Sequence, residues 1–371
     1  MGFKDKVDAA IEAALVSRIV GCVVLVNQNG KEIYSRVAGL ADREANRKLE
    51  RNAIWRLASV TKPIVATTAL RMMDLGLLGL DDPVSKYLPY FTPPSPDGVV
   101  RPITLRQLFG HISGLSYDAV PEDVSPGMSG PFLSLEENLR RLGKAPLVFA
   151  PGTGWVYGTS IDVLGGVIAA INGSTLEAVV QKYVSGPLGM VDWRFTPTDA
   201  TRVTANYANG ELPNPSIVPP ARITEDDLQG TNFHVDRIFR ADAPQSGGGG
   251  SCGTADDVMK MLEVYNGSGT LLQPSTVAEA LKNQIGSLPR RESDAGKRFT
   301  LIGAIIDDPE AAASPCPVGT VDWGGAWGHN WIIDPTNRLT VLVCSNTAPE
   351  GCNGPFREEV RDAVYAGLLG N

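Results

Sequence analysis

Ser59 and Lys62 stand three residues apart in Ser59-Val60-Thr61-Lys62. Upstream, residues 53–58 (AIWRLA) read as a short extended run. Downstream, residues 63–75 (PIVATTALRMMDL) read as a buried helix that Gly76 stops. Positions i and i+3 share a helix face, so this spacing brings the Lys62 ammonium within a turn of the Ser59 hydroxyl. The Ser59 oxygen also meets the positive field of a helix N-terminus. A hydroxyl so placed suits nucleophilic attack, because it has help in losing its proton. The tetrapeptide alone is a weak signal, and its bland reading is a helix cap followed by a solvated lysine. A cation in the first turn opposes the helix dipole, which counts against that reading.

A second element is Trp155-Val156-Tyr157-Gly158-Thr159-Ser160, ahead of an apolar helical segment (IDVLGGVIAAI). A tyrosine in that position usually packs. Beside a Ser/Lys pair it has another use, since neighbouring cations favour a phenolate. If Lys62 approaches Tyr157, the phenolate takes the Ser59 proton and later returns it to the leaving group. A third element is Trp323-Gly324-Gly325-Ala326, just before a strand expected to begin at Trp327. Two glycines let backbone approach a ligand, and an N–H there together with that of Ser59 makes an oxyanion hole. The bland alternative is a glycine bulge or strand bend.

Other residues carry less. His111 precedes Ser113-Gly114 in an expected helix-to-loop turn, where a structural hydrogen bond outweighs a triad role with Ser59. His329 either faces the cleft and binds substrate or packs at a strand end, and His234 falls in an exposed loop. Three histidines this scattered give no metal site. Tyr117 and Trp155 line an acyl or alcohol pocket or else pack in the core. Five cysteines, Cys22, Cys252, Cys316, Cys344 and Cys352, are odd in number and fit no zinc pattern. Reduced thiols that do no chemistry are expected of them, with Cys22 and Cys344 in the core. Residues 247–250 (GGGG) lack the Gly-Lys-Ser/Thr of a phosphate loop.

The elements that must position these groups fall into two sets. Residues 21–27 and 31–38 read as strands joined by Asn29-Gly30, a strong hairpin signal. Near the other end, 298–306, 327–333 and 338–345 read as strands, with a turn at 334–337 and a closing helix over 356–369. Between them, 104–109, 135–142, 160–171, 175–184, 255–265 and 274–283 carry helical patterns. The expectation is an α/β (α+β) fold in one unit, an antiparallel sheet built from both chain ends with flanking helices. The α/β part covers about 1–58 and 285–371, and a mostly helical insertion covers about 59–284. Ser59 lies where the two parts meet, a common place for a site. Loops at 118–131 and 209–220 stand out, and 118–131 and 209–250 are expected to shape the pocket.

A chain of 371 residues with 43% hydrophobic residues suits one large globular unit. A net charge of −8 and the lack of any basic run argue against nucleic acid or an anionic membrane as partner. The first 21 residues read as an amphipathic helix broken by Asp5, Asp8 and Glu12, not as a signal peptide, and no run of 18 apolar residues occurs. A cytoplasmic protein is expected. No segment marks an oligomer interface, so the oligomeric state stays open.

Together and in this order, the three elements resemble the serine β-lactamase-like superfamily: class C β-lactamases, low-molecular-weight penicillin-binding proteins and family VIII carboxylesterases. The resemblance runs from residue 20 to about 345. It extends to Leu108-Phe109-Gly110-His111-Ile112-Ser113-Gly114-Leu115-Ser116-Tyr117, similar to the family's LLxHxSGLSY. It includes Pro151-Gly152-Thr153-Gly154-Trp155, similar to its PGxxWxY lead-in, and the glycine-rich loop that leads into 254–257. The resemblance implies Ser59 as nucleophile, Lys62 and Tyr157 sharing acid and base work, and the Ser59 and Ala326 N–H groups as the oxyanion hole. Two departures choose the branch. Thr159 stands where β-lactamases and penicillin-binding proteins carry Asn, and Trp323 where they carry a cation for the substrate carboxylate. The Tyr157 and Trp323 segments look instead like family VIII carboxylesterases and related fungal acyltransferases. The implied function is hydrolysis of small-molecule, short-chain carboxylic esters, with acyl transfer as an alternative. A β-lactamase or D-amino-acid peptidase is disfavoured by Thr159 and Trp323, and a non-catalytic module by the intact Ser59, Lys62 and Tyr157. Substrate-binding candidates are Trp323, Gly324, Gly325, His329, Tyr117 and Trp155. No cofactor or metal is implied.

Overall fold

Asn29 and Gly30 take φ values of 52° and 71°, the backbone of a two-residue hairpin turn. They fold β1 (Gly21–Gln28) onto β2 (Lys31–Asp42). The computed structural model describes residues 2–208, 221–222, 232–267, 270–348, 350–368 and 370; the expected loop at 209–220 lies outside them. After β3 (Arg47–Lys48) the chain makes a short strand, β4 (Trp55–Arg56), which pairs with β5 (Cys252–Gly253). The remaining strands are β6 (Lys297–Phe299), β7 (Ala304–Ile306), β8 (Val321–Gly325), β9 (His329–Asp334) and β10 (Leu339–Ser345). The main sheet is antiparallel, in the order β3-β2-β1-β10-β9-β8-β7-β6. It is thus assembled from both chain ends, with β1 against β10 from Cys22↔Ser345 to Gln28↔Leu339.

Alternation along β1 divides two cores. Cys22, Val24 and Val26 pack with Val7, Ile11, Val360 and Val364 of the terminal helices α1 (Phe3–Ser17) and α9 (Pro355–Leu368). Val23 and Leu25 face the larger core, which takes in Ile64, Val65 and Leu70 of α2 (Thr61–Asp74). The middle of the chain supplies the helices expected from its periodicity. They are α3 (Leu105–Phe109), α4 (Leu135–Leu142), α5 (Ser160–Asn172), α6 (Leu176–Val180), α7 (Ala255–Leu262) and α8 (Pro274–Ala280). Among the described residues no single helix is long and apolar enough to cross a membrane.

Two strand expectations need correction. Residues 298–306 are two strands, because Thr300 Oγ1 accepts the Ile302 and Gly303 N–H groups and closes a turn between them. The strand expected from Trp327 begins at His329. Gly328 adopts φ of 120°, so 326–328 turn the chain, and Trp323-Gly324-Gly325 is itself the end of strand β8.

Candidate active site

Ala58 takes φ of 45° although it is not a glycine, and it is fully buried. This left-handed residue bends the chain between β4 and the single 3₁₀ turn Ala58–Val60 that leads into α2. Such a conformation is held only by its surroundings. Here Leu57 N–H donates to Ser251 O at 3.0 Å, and Thr61 Oγ1 meets Ser251 Oγ at 2.7 Å. Ser59 therefore sits in a 3₁₀ turn ahead of the α-helix, 9% exposed.

The i, i+3 spacing does what it predicts: Lys62 Nζ donates to Ser59 Oγ at 3.1 Å. It also donates to Tyr117 Oη at 3.0 Å and to Gly248 O at 2.6 Å. An ammonium has three N–H groups, and all three are engaged. Burial opposes the Lys62 charge, but Tyr117, Tyr157 and Asp162 outweigh it and hold the pKa above the ordinary lysine value. Tyr117 responds the other way. Burial raises its phenol despite Lys62, so it stays protonated. Sequence reasoning placed Tyr117 among pocket-lining candidates; its contact with Lys62 was not foreseen.

Tyr157 lies across from this pair. Lys62 Nζ is 4.6 Å from its ring centroid, and its hydroxyl oxygen accepts a hydrogen bond from Trp323 Nε1 at 3.0 Å. His111, at φ of 56°, is buried under Tyr157 with ring centroids 4.7 Å apart. Its Nδ1 accepts from the Gly158 N–H at 3.4 Å, and burial drives its pKa well below the usual imidazole value. Its part is the structural one expected.

Gly324 and Gly325 are explained by packing. A Cβ on Gly325 would come 2.5 Å from Leu57 O, and one on Gly324 would come 2.9 Å from Cys352 Cβ. Gly325 lets β8 press against the chain just before Ser59, and Gly324 makes room for Cys352. Ala326, first in the following turn, packs against the small cluster that contains Ala58 and Trp327. The same close fit explains the glycine run read above as no phosphate loop. A Cβ on Gly247 would meet Ile161 O at 2.5 Å, and one on Gly248 would meet Asp162 Oδ2 at 2.2 Å. The run carries a backbone carbonyl to Lys62.

Three residues singled out in the sequence are engaged in packing. His329 is buried behind Trp55, with Nε2 2.8 Å from Arg56 O, and burial lowers its pKa to about 4. It is wall packing, not a cleft-facing group. Trp155 packs at a tilt against Phe299 and lies under Arg290, whose guanidinium carbon is 4.4 Å from the indole. His234, expected to be exposed, is half-buried edge-on to Phe132. All five cysteines are buried. Burial raises Cys22 and Cys252 to about 12, which makes these thiols poor nucleophiles. Among the described residues no group of three or more His, Cys, Asp or Glu forms a metal site.

An eight-stranded antiparallel sheet backed by terminal helices, with a helical part over its other face and Ser-x-x-Lys at the junction, defines a β-lactamase/transpeptidase-like protein. The chain belongs to the β-lactamase family, whose profile matches residues 7–365. It is 40% identical over 375 residues to esterase EstB of Burkholderia gladioli, covering 97% of this chain and 95% of that one. The solved structure of EstCE1, a hydrolase with promiscuous acyltransferase activity, superposes with a TM-score of 0.92 at 36% identity and covers 98% of each chain. Monacolin J acid methylbutanoyltransferase of Aspergillus terreus is 28% identical over 405 residues, 97% of this chain and 95% of that one.

Proposed function

We propose that the protein is a serine carboxylesterase of the family VIII type, cleaving short-chain carboxylic esters through an acyl-Ser59 intermediate. The observation that carries this reading is the Lys62 ammonium 3.1 Å from Ser59 Oγ, with Tyr157 against the lysine and the neutral indole of Trp323 on the facing strand. Lys62 and Tyr157 share the transfer of the Ser59 proton as Oγ attacks the ester carbonyl. The N–H groups of Ser59 and Ala326 hold the oxyanion, so the side chain at 326 matters only sterically. Collapse expels the alcohol with the proton returned, and water repeats the sequence to release the acid. Trp323, Gly324, Gly325 and Tyr117 border the reacting centre on the substrate side. A neutral residue at 323 suits an ester with no carboxylate to pair. The likeness to esterase EstB and to the hydrolase EstCE1 supports ester hydrolysis.

Acyl transfer to an alcohol is the second reading. It shares the acyl-enzyme, and the likeness to EstCE1, a hydrolase with promiscuous acyltransferase activity, and to the Aspergillus methylbutanoyltransferase favours it. The free, buried thiols of Cys22, Cys252, Cys316 and Cys344 suit a reducing compartment, and we place the protein in the cytoplasm. The test compares wild type and Ser59→Ala on p-nitrophenyl butyrate and a chromogenic cephalosporin. The expected result is ester cleavage that falls by about 10³-fold or more in the variant, with slow cephalosporin turnover. Wild-type ester turnover by Ser59→Ala would refute the mechanism. Efficient cephalosporin turnover with weak esterase activity would refute the assignment from Trp323.

A further inference from the structure

Asp162 is the third residue of α5, buried to 3% exposure, and no step above uses it. Its Oδ1 accepts from Ser246 Oγ, while Oδ2 lies under the Gly248 backbone without a hydrogen bond of good geometry. A buried carboxylate left in that state needs positive charge nearby to remain ionised. Burial raises the Asp162 carboxyl above its ordinary pKa, and two cations oppose that rise. Lys62 reaches the far side of the same glycine through Gly248 O, and the buried Arg237 also acts on the carboxylate. Gly248 is thus held between an ammonium and a carboxylate, and its missing side chain is what lets them approach. Conversely, Lys62 stands at a helix N-terminus, where the dipole opposes its charge, and its three hydrogen bonds all go to neutral acceptors.

We propose that Asp162 is a positioning residue for catalysis, the buried counter-charge that keeps Lys62 an ammonium pointed at Ser59. This rests on the assignment of Lys62 to proton transfer. Besides Asp162, the groups facing Lys62 are Tyr117, Tyr157 and His111. Those facing Asp162 are Lys62, Arg237, Tyr117 and the Ser246 hydroxyl. Of these, Asp162 alone is a carboxylate. Removing its negative charge lowers the pKa of Lys62 and of the Tyr117 phenol, so whichever limb of the pH–rate profile Lys62 sets moves to lower pH.

The experiment is the pH dependence of kcat/KM on p-nitrophenyl butyrate for wild type and Asp162→Asn. The expected result is a limb displaced downward by about one to two pH units in a variant that keeps its fold. A folded variant with reduced kcat and both limbs at wild-type pH would mean that Asp162 only packs. A second arm needs no substrate: the Tm values of Lys62→Met, Asp162→Asn and the double variant. Paired buried charges predict that the double variant is more stable than the sum of the two losses, and that it folds even if Asp162→Asn alone does not. Additive losses would overturn the proposal. Because this arm reads the coupling without turnover, an inactive wild type would sink the esterase reading while leaving the pairing to be judged by itself.

Discussion

Two walls meet at Ser59, and they are built from different materials. The wall formed by α2 and the glycine run is polar and sealed. Lys62 is buried with all its donors engaged, Asp162 lies behind Gly248, and Gly247 and Gly248 bring backbone into contact with α5. The opposite wall is aromatic and half-exposed: Tyr157 and Trp323 hydrogen-bonded to each other, with Tyr117 5.7 Å from Tyr157 between ring centroids. A sealed polar wall fixes charge and geometry and has little left to offer a substrate. An exposed aromatic wall can contact an acyl or alcohol group without demanding a charge from it. The division teaches that the acylation machinery and substrate choice sit on separate elements, so they should respond separately to substitution.

The largest effect should come from the sealed wall. Lys62→Met removes the ammonium and lowers kcat/KM by about 10³- to 10⁴-fold with every ester tested, because the loss precedes any substrate discrimination. A loss confined to some acyl chains would break the comparison. Next comes the pair of phenols. Tyr157→Phe should cost about 10²- to 10³-fold in kcat. Tyr117→Phe, which removes a phenol that stays protonated, should cost no more than about 10-fold. Equal losses would mean that the two tyrosines share the proton and that Tyr117 belongs to the machinery.

Much of this arrangement was legible because its signals are local. The hairpin at Asn29-Gly30, the helix after Ser59 and the i, i+3 contact of Ser59 with Lys62 each follow from a few adjacent residues. What was not legible depends on chain segments far apart. Gly248 is 186 residues from Lys62 and Tyr117 is 55 away, so no periodicity could pair them. The family-like stretch ending at Tyr117 offered a signal, but nothing in it says which group the phenol meets. The Trp323 glycines were read as an approach to a ligand. In the packed chain they also serve a close approach to Leu57 and Cys352, which adjacent residues alone do not announce. The split of 298–306 escaped because Thr300 and Gly303 interrupt an otherwise strand-like run through a side-chain hydrogen bond.

Acid should act on the support of the site before it acts on the site. His329 binds its proton near pH 6.5 when unfolded but only near pH 4 when folded. Between these values the unfolded state holds more protons, so stability is full above pH 6.5 and declines as pH falls toward 4. The decline attributable to this one group is about 2–3 kcal/mol. Equilibrium unfolding in urea at several pH values should show it, and His329→Asn should flatten the slope over that window. An unchanged slope would place the acid sensitivity elsewhere, with His111 the next group to examine.

The smallest effect is the one that tells most about the aromatic wall. Trp323 has two separable properties, an indole face and an N–H that donates to Tyr157 Oη at 3.0 Å. Trp323→Phe keeps an aromatic face and removes the donor, which would otherwise solvate negative charge on the tyrosine oxygen once its proton leaves. One neutral hydrogen bond corresponds to about 1 kcal/mol, or 5- to 10-fold in kcat, with KM little altered. Trp323→Leu removes both properties and should raise KM for bulky acyl groups as well. If Trp323→Phe leaves kcat intact and changes only KM, the indole is a substrate surface alone and Tyr157 needs no help from it. If kcat falls while the order of preference among acyl chains is kept, the aromatic wall is also part of the machinery. The line between the two walls would then run through Trp323 rather than beside it.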